Sequence, residues 1–182
     1  MNDFELYQNF ISAGDENSFR TLFERYREPL TYFLYGLVGN LDDAEELMLD
    51  VFAAVSSGLA RYREQEGAAF KTWLYSVARN KAKMFLRKHT VEFLPLDELL
   101  DLVPTDNVQD PFIDVLLDNE RNSGLYQALG MIRPDYRVVL YLTYFEGMKP
   151  KEVSRVLHKS VKPVYNLISR GKTTLRSLLE RT

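Results

Sequence analysis

The side chains of this 182-residue sequence that could do chemistry are cations, aromatic rings and carboxylates. There is no cysteine, which excludes disulfides, thiolate metal sites and cysteine nucleophiles. The two histidines, His89 and His158, are far apart in sequence, so a histidine-based metal site or triad is not expected. We therefore expect a protein without catalytic activity or cofactor, whose chemistry is recognition.

Positive charge and aromatic rings coincide in residues 61–88. Arg79, Lys83 and Arg87 are spaced four apart and share one face of a helix. This combination is typical of single-stranded nucleic-acid binding, because the cations follow the phosphate backbone and the rings stack on or wedge between bases. The candidate contacts are Arg63, Phe70, Lys71, Arg79, Asn80, Lys83 and Arg87.

Some residues of this segment have a competing structural interpretation. Trp73 is spaced with Leu74 and Val77 as in a core stripe, and we favour burial for it. Phe70 opens the predicted helix beside a loop and is the better candidate for touching a base. For Asn80 the sequence allows two roles, a base contact or an ordinary surface amide.

A cluster of carboxylates lies at the start of the third predicted helix. One interpretation is a solvated helix N-terminus, where the helix dipole favours negative charge. The other is a docking face for a basic protein surface. A metal or acid–base site is disfavoured, because no histidine, cysteine or glycine-rich loop accompanies the cluster. Its members are Asp42, Asp43, Glu45, Glu46 and Asp50.

Residues 149–172 have the layout of a helix-turn-helix, with a short helix packed on a longer one. The second helix of such a unit enters the major groove and presents its N-terminal residues to base edges. The outward positions are Lys162, Tyr165, Asn166 and Ser169. Asparagine suits adenine, and an aromatic edge can meet a thymine methyl. Phosphate contacts are expected from Lys159, Arg170, Lys172 and Arg176. The apolar positions expected to join the two helices are Val153, Val156, Leu157, Val161, Val164 and Ile168.

Net charge is −3 and the isoelectric point is about 5.5, which taken as totals disfavour a nucleic-acid binder. The charge is, however, divided into blocks. Residues 1–60 carry a net −8, residues 61–88 a net +6, residues 89–118 a net −8 and residues 119–182 a net +7. Such segregation predicts separate binding surfaces, each with its own type of partner.

Helical periodicity is strong and strand signals are weak, so we predict an all-α protein. Two small helical domains, residues 1–88 and 119–182, are joined by an acidic linker, residues 89–118, which contains three prolines and no Lys or Arg. The second domain is expected to have four helices, including the helix-turn-helix. The predicted helices cover about 3–13, 17–38 with a kink at Pro29, 42–62, 70–87, 118–131, 134–146, 150–157 and 160–180.

No apolar run approaches the roughly 20 residues that span a bilayer, and the sequence begins Met1-Asn2-Asp3-Phe4-Glu5, unlike a secretory signal. We expect a cytoplasmic protein without membrane insertion.

Three of these stretches resemble bacterial RNA polymerase sigma factors of the small, extracytoplasmic-function type. Residues 43–52, Asp-Ala-Glu-Glu-Leu-Met-Leu-Asp-Val-Phe, look like the family's polymerase-binding helix. Residues 70–80, Phe-Lys-Thr-Trp-Leu-Tyr-Ser-Val-Ala-Arg-Asn, look like its promoter-melting and −10-reading segment. Residues 128–179 are similar to its −35-reading domain.

The resemblance implies a division of labour among the segments. Residues 1–88 would bind core polymerase and open the −10 element, with residues 63–69 and Phe70 framing a pocket for a flipped base near Asn80. The acidic linker would pass through the polymerase cleft, and residues 119–182 would read the −35 element. An anti-sigma partner is also implied. The implied polymerase-binding residues are Asp43, Glu45, Glu46, Leu47, Asp50 and Phe52.

The chain departs from the family at three places. Pro163-Val164-Tyr165-Asn166-Leu167 stands where Thr-Val-Lys-Ser-Arg is common, so two basic residues are absent. Leu49 replaces a usual glutamine, and Gly171 replaces a common alanine, which is expected to loosen the recognition helix.

Two other hypotheses stay open at the sequence level. A helix-turn-helix regulator that binds duplex DNA without polymerase would need neither the acidic helix nor the basic–aromatic one. An all-α enzyme would need a convergent polar site, and the sequence shows none.

Overall fold

The computed structural model describes residues 1–63, 69–89, 129 and 131–180. The regular elements of these residues are all helical, which confirms the predicted fold class. They are α1 (Asp3–Ala13), α2 (Glu16–Val38), α3 (Leu41–Ser56), α4 (Phe70–His89), α5 (Pro134–Leu140), a π-helical turn (Tyr141–Phe145), α6 (Pro150–Leu157) and α7 (Val161–Leu179). The predicted linker beyond residue 89, most of the loop at 63–69 and most of the helix at 118–131 lie outside the described residues.

The starts of α2 and α3 differ from the sequence prediction. Helix α2 begins at Glu16, not at 17, because Asp15 caps it: its carboxylate accepts hydrogen bonds from the Asn17 amide (3.1 Å) and the Ser18 hydroxyl (2.6 Å). These hydrogen bonds, chiefly that from Ser18, lower the pKa of Asp15. A capping side chain must reach an amide two or three residues ahead, so the cap precedes the acidic first turn.

The same shift occurs at α3, where Asn40 caps the helix by accepting from the Asp43 amide (3.0 Å). Asp42 and Asp43 thus lie in the first turn. The helix ends at Ser56, not near Tyr62, because the chain turns at Gly58 with a φ of +74°. By contrast, α2 continues through Pro29 to Val38 as one helix.

One continuous apolar cluster joins the N-terminal helices to the C-terminal ones. Its fully buried members include Leu30 and Phe33 of α2, Val51 of α3 and Leu74 of α4. The cluster continues through Val138, Val139 and Leu142 to Val153, Val156 and Val164 of the helix-turn-helix. Helix α6 packs on α4, and α5 packs on α2. The two groups of helices therefore lie against each other.

Gly171 lies where α7 crosses α5. A Cβ at this position would stand 3.2 Å from Tyr136 Cβ and 3.3 Å from two carbons of Leu140. The glycine permits a close approach of the two helices, a packing role that was not expected from the sequence, while its loosening of α7 stays a prediction.

Gly171→Val should lower the free energy of unfolding by about 1–3 kcal/mol, because the added carbons overpack the α5–α7 contact. Urea denaturation followed by circular dichroism measures this. Ser177→Val, at an exposed position of the same helix, is the control for the β-branched side chain. Equal losses in the two variants would contradict the packing role of Gly171.

Candidate nucleic-acid and protein interfaces

The predicted base-reading row lies on the solvent side of α7. Lys162, Tyr165, Asn166 and Ser169 are all exposed, and Tyr165 keeps 58% of its surface accessible. Val164 is fully buried and Ile168 half-buried, which orients the helix. Ser160 is the N-cap residue and Pro163 lies in the first turn of α7. This is the geometry that a recognition helix needs.

The packing role predicted for Val161 is wrong, because 37% of this residue is exposed. As the first residue of α7, it follows the turn from α6 and lies beyond the end of α6 at Leu157.

The cations predicted to contact phosphates surround this row. Arg170, Lys172 and Arg176 are exposed and Lys159 is half-buried. The Lys172 Nζ lies 5.6 Å from the ring centroid of Tyr144, which positions its charge.

The turn between α6 and α7 is made by His158 and Lys159. His158 has a φ of 52°, in the left-handed region, and the Lys159 amide donates to the Ser154 carbonyl (3.0 Å). Partial burial lowers the pKa of His158, and the charges of Arg79 and Lys83 on α4 lower it further. The turn therefore lies against the basic face of α4.

The predicted nucleic-acid face of α4 is only partly open. Arg63, Asn80 and Arg87 are exposed and Lys83 is half-buried. Arg79 is buried at 5% exposure, because its face of α4 packs against α6. The open basic stripe expected from Arg79, Lys83 and Arg87 is therefore incomplete in this arrangement.

Phe70 is also buried, at 3% exposure, so the prediction that it is free to touch a base is wrong for this arrangement. Its ring lies among those of Tyr7, Tyr62 and Trp73, with centroids 5.4, 5.5 and 5.4 Å away. Trp73 is half-buried against this core, in line with the packing role favoured for it.

Tyr7 was not singled out from the sequence. Its hydroxyl accepts a hydrogen bond from the Tyr62 amide (3.0 Å), and its ring contacts Phe70. Helix α1 thereby ties together the two chain segments that flank residues 63–69. The pairing joins residues 55 apart, and nothing local in the sequence signals it.

The carboxylates of α3 form an outward face. Asp42, Glu45, Glu46 and Asp50 are exposed and Asp43 is half-buried. The expected binding residues Leu47 and Phe52 instead lie in the core, because they occupy the opposite side of the helix.

A groove of about 490 Å³ runs beside this face between α2 and α3. Phe23, Met48 and Leu49 supply its apolar lining, and Glu45 lies at its edge. Leu49 is 54% exposed. The groove offers an apolar contact beside a negative surface.

Glu146 lies between the two groups of helices and was likewise not predicted. Its side chain is 8% exposed, and one carboxylate oxygen is 2.7 Å from the Nζ of Lys71. The same Nζ donates to the Glu146 carbonyl (2.7 Å), and the Tyr141 hydroxyl is 3.1 Å from the other carboxylate oxygen. Burial and this carboxylate raise the pKa of Tyr141.

Within the described ranges, no group of three or more His, Cys, Asp or Glu side chains could hold a metal ion. No helix in that part of the chain is long and apolar enough to cross a membrane.

Comparison with known proteins gives matches along most of the chain. Residues 22–91 match Sigma-70 region 2, and residues 124–175 match Sigma-70 region 4. The chain is 28% identical over 169 residues to the ECF RNA polymerase sigma factor SigX of Bacillus subtilis, covering 91% of this chain and 85% of that one. It is 23% identical over 177 residues to SigW of the same organism, covering 93% and 92%.

Two solved structures share the fold. One is CnrH in complex with the cytosolic domain of CnrY, at 21% identity and a TM-score of 0.59, covering 98% of this chain and 95% of that one. The other is the sigma factor RpoE in complex with the anti-sigma factor NepR from Bartonella quintana, at 18% identity and a TM-score of 0.60, covering 89% and 96%.

Proposed function

The chain belongs to the sigma-70 family, in its ECF type. From this premise we propose which of its surfaces contact the promoter and which contact the polymerase. It would bind core RNA polymerase in the cytoplasm and direct it to promoters, with no catalytic centre of its own. The polymerase supplies the chemistry, and this chain supplies binding energy and base selection.

The observation that carries the proposal is the exposed row on α7. Asn166 and Tyr165 face solvent at the start of a helix whose opposite side is fixed by Val164. We assign the reading of the −35 duplex to residues 119–182, with Lys162, Tyr165, Asn166 and Ser169 at base edges. Lys159, Arg170, Lys172 and Arg176 would hold phosphates and set the register.

We assign −10 recognition and melting to residues 1–88. Arg63, Asn80, Lys83 and Arg87 are the accessible candidates for DNA contact, whereas the predicted candidates Lys71 and Arg79 are paired with Glu146 and buried, respectively. Phe70 and Trp73 would support the adjoining loop by packing. Extruding a base costs a few kcal/mol, which contacts to the separated strand would offset.

For polymerase binding we propose the outward face of α3 together with the groove beside it. Asp43, Glu45, Glu46 and Asp50 would meet a basic surface of the polymerase, and an apolar side chain of that surface would enter the groove at Leu49. Leu47 and Phe52 would act by holding α3 in place.

The remaining assignments concern the linker and a regulator. We propose that residues 89–118, with eight acidic residues and no Lys or Arg, follow the nucleic-acid path of the polymerase. An anti-sigma factor is the expected inhibitory partner, because RpoE is bound to the anti-sigma factor NepR in one structural neighbour and CnrH to the cytosolic domain of CnrY in the other.

Promoter opening tests the function directly. Core polymerase with this chain should make thymines of the −10 region reactive to a single-strand-specific reagent, whereas core polymerase alone should not. A duplex-binding regulator would instead bind DNA without polymerase and give no open complex with it. That second pattern would refute the sigma assignment.

Charge reversal of Asp43, Glu46 and Asp50 to Lys should weaken binding to core polymerase about tenfold or more, because like charges would then face each other. Titration of labelled chain with polymerase measures this. Reversal of Glu16, Glu24 and Glu180, which are exposed elsewhere, is a control with the same change in net charge. Similar losses in both triple variants would argue against a docking role for α3.

Lys162→Ala and Asn166→Ala should alter base preference at individual −35 positions, since a good base contact is worth about 1–3 kcal/mol of discrimination. Competition among duplexes with single base changes, bound by the holoenzyme, measures the preference. Arg170→Ala and Arg176→Ala should instead weaken all sequences alike. A uniform loss from the first pair of variants would contradict base contact by these side chains.

A further inference from the structure

Two apolar side chains are exposed on one flank of α7, beside the base-reading row. Val161 keeps 37% of its surface accessible and Tyr165 keeps 58%. They are four residues apart, so they lie one turn apart on the same side of the helix. Single exposed apolar residues need no explanation, but this apolar pair offers a continuous apolar surface to whatever α7 binds.

The same flank continues along the helix beyond the apolar pair. Ile168, three residues after Tyr165, is half-buried against the core, and exposed Lys172 follows one turn later. The Lys172 Nζ lies 5.6 Å from the ring centroid of Tyr144. The flank is therefore apolar over the first two turns of α7, and a cation follows.

The opposite flank of α7 is polar. Asn166 and Arg170, also four residues apart, are exposed there, and Lys162 and Ser169 lie between the two flanks. The recognition helix thus has two chemically different edges. One edge offers van der Waals contact, and the other offers hydrogen bonds.

Duplex DNA is the occupant that suits this combination. Residues 119–182 carry a net charge of +7, and exposed Lys162 lies beside the apolar pair. Such charge draws a helix to phosphates. In the major groove the apolar group that a base pair displays is the 5-methyl of thymine, and in the same A·T pair adenine presents N6 and N7. Tyr165 and Asn166 are adjacent in sequence, so neighbouring positions of the helix match these two groups.

We infer that Val161 and Tyr165 select thymine in the −35 duplex by contact with its 5-methyl group, while Asn166 binds the adenine of the same or the neighbouring pair. The inference rests on the proposed −35 role of α7 and names the base chemistry that this role uses. Val161 becomes a specificity-determining residue, although its apolar type first predicted packing. Selection by a methyl group involves no phosphate, so it adds sequence preference without adding to the salt dependence of binding.

Replacement of single thymines by 2′-deoxyuridine tests the inference, because deoxyuridine lacks only the 5-methyl group. The holoenzyme, core polymerase with the full chain, first selects its −35 duplex from a pool with a randomised −35 segment. Each thymine of the selected duplex is then replaced in turn, and the affinity of the holoenzyme is measured. At the contacted thymine the affinity should fall about fourfold, the contribution of one buried methyl group.

Variants of the apolar pair show whether these side chains make the contact. Val161→Thr keeps the β-branched shape but replaces a methyl by a hydroxyl, and Tyr165→Ser removes the ring. Each should remove most of the loss that deoxyuridine causes at its contacted position, because the methyl then has no apolar partner. Tyr165→Phe keeps the ring and should preserve the loss. Leu179→Ala, at an exposed apolar position at the other end of α7, is the matched control and should also preserve it.

Equal affinity for every deoxyuridine duplex, or a selected duplex without thymine, would overturn the inference. Equal affinity is also the result expected if the apolar pair serves a protein partner instead of DNA. A loss that persists unchanged in Val161→Thr and Tyr165→Ser would overturn the assignment to these side chains. These outcomes leave the −35 role intact, because the holoenzyme has still selected a sequence. Failure to select any −35 sequence would refute the proposed −35 role, and the inference with it.

Discussion

The burial of α4 on two sides is the constraint on which the other features of the molecule depend. Leu74, Ala78 and Ala82 pack into the N-terminal core, and the face that carries Thr72 and Arg79 packs against α6. A helix enclosed on both sides leaves only a strip for other contacts. Asn80, Arg87 and Lys88 lie on that strip, whereas Arg79 of the same helix is buried and Lys83 is half-buried.

Much of the fold was predictable because its signals are local. Helical periodicity predicted most of the elements, and the apolar spacing of α7 predicted its outward face. Errors at the starts of α2 and α3 arose because several acceptors stand close together, and only the backbone geometry decides which of them reaches an amide.

The candidate site was less predictable because it depends on tertiary contacts. Periodicity shows that Arg79 shares a face with Lys83, but it does not show that α6 covers that face. Tyr7 and Glu146 act on residues 55 and 75 positions away, at Tyr62 and Lys71, so no sequence window contains both partners. The blocks of charge indicated the kinds of partner, but they did not show which blocks would contact each other within the folded chain.

The π-helical turn, Tyr141–Phe145, precedes the helix-turn-helix, so its geometry affects how the two units are oriented. Such a turn holds about one residue more than an α-helical turn, so the residues after it lie about 100° behind the positions that a continuous α-helix of the same sequence would give them. Tyr141 at its start donates to the Pro29 carbonyl, Glu146 just after it pairs with Lys71, and Tyr144 within it contacts Lys172 of α7. If this turn became α-helical with the same number of residues, each helix would stay intact but Glu146 and the helix-turn-helix would turn away from Lys71 and α4. A relative that forms a regular α-helix here with the same spacing would therefore make a different contact, or none, between the same two units.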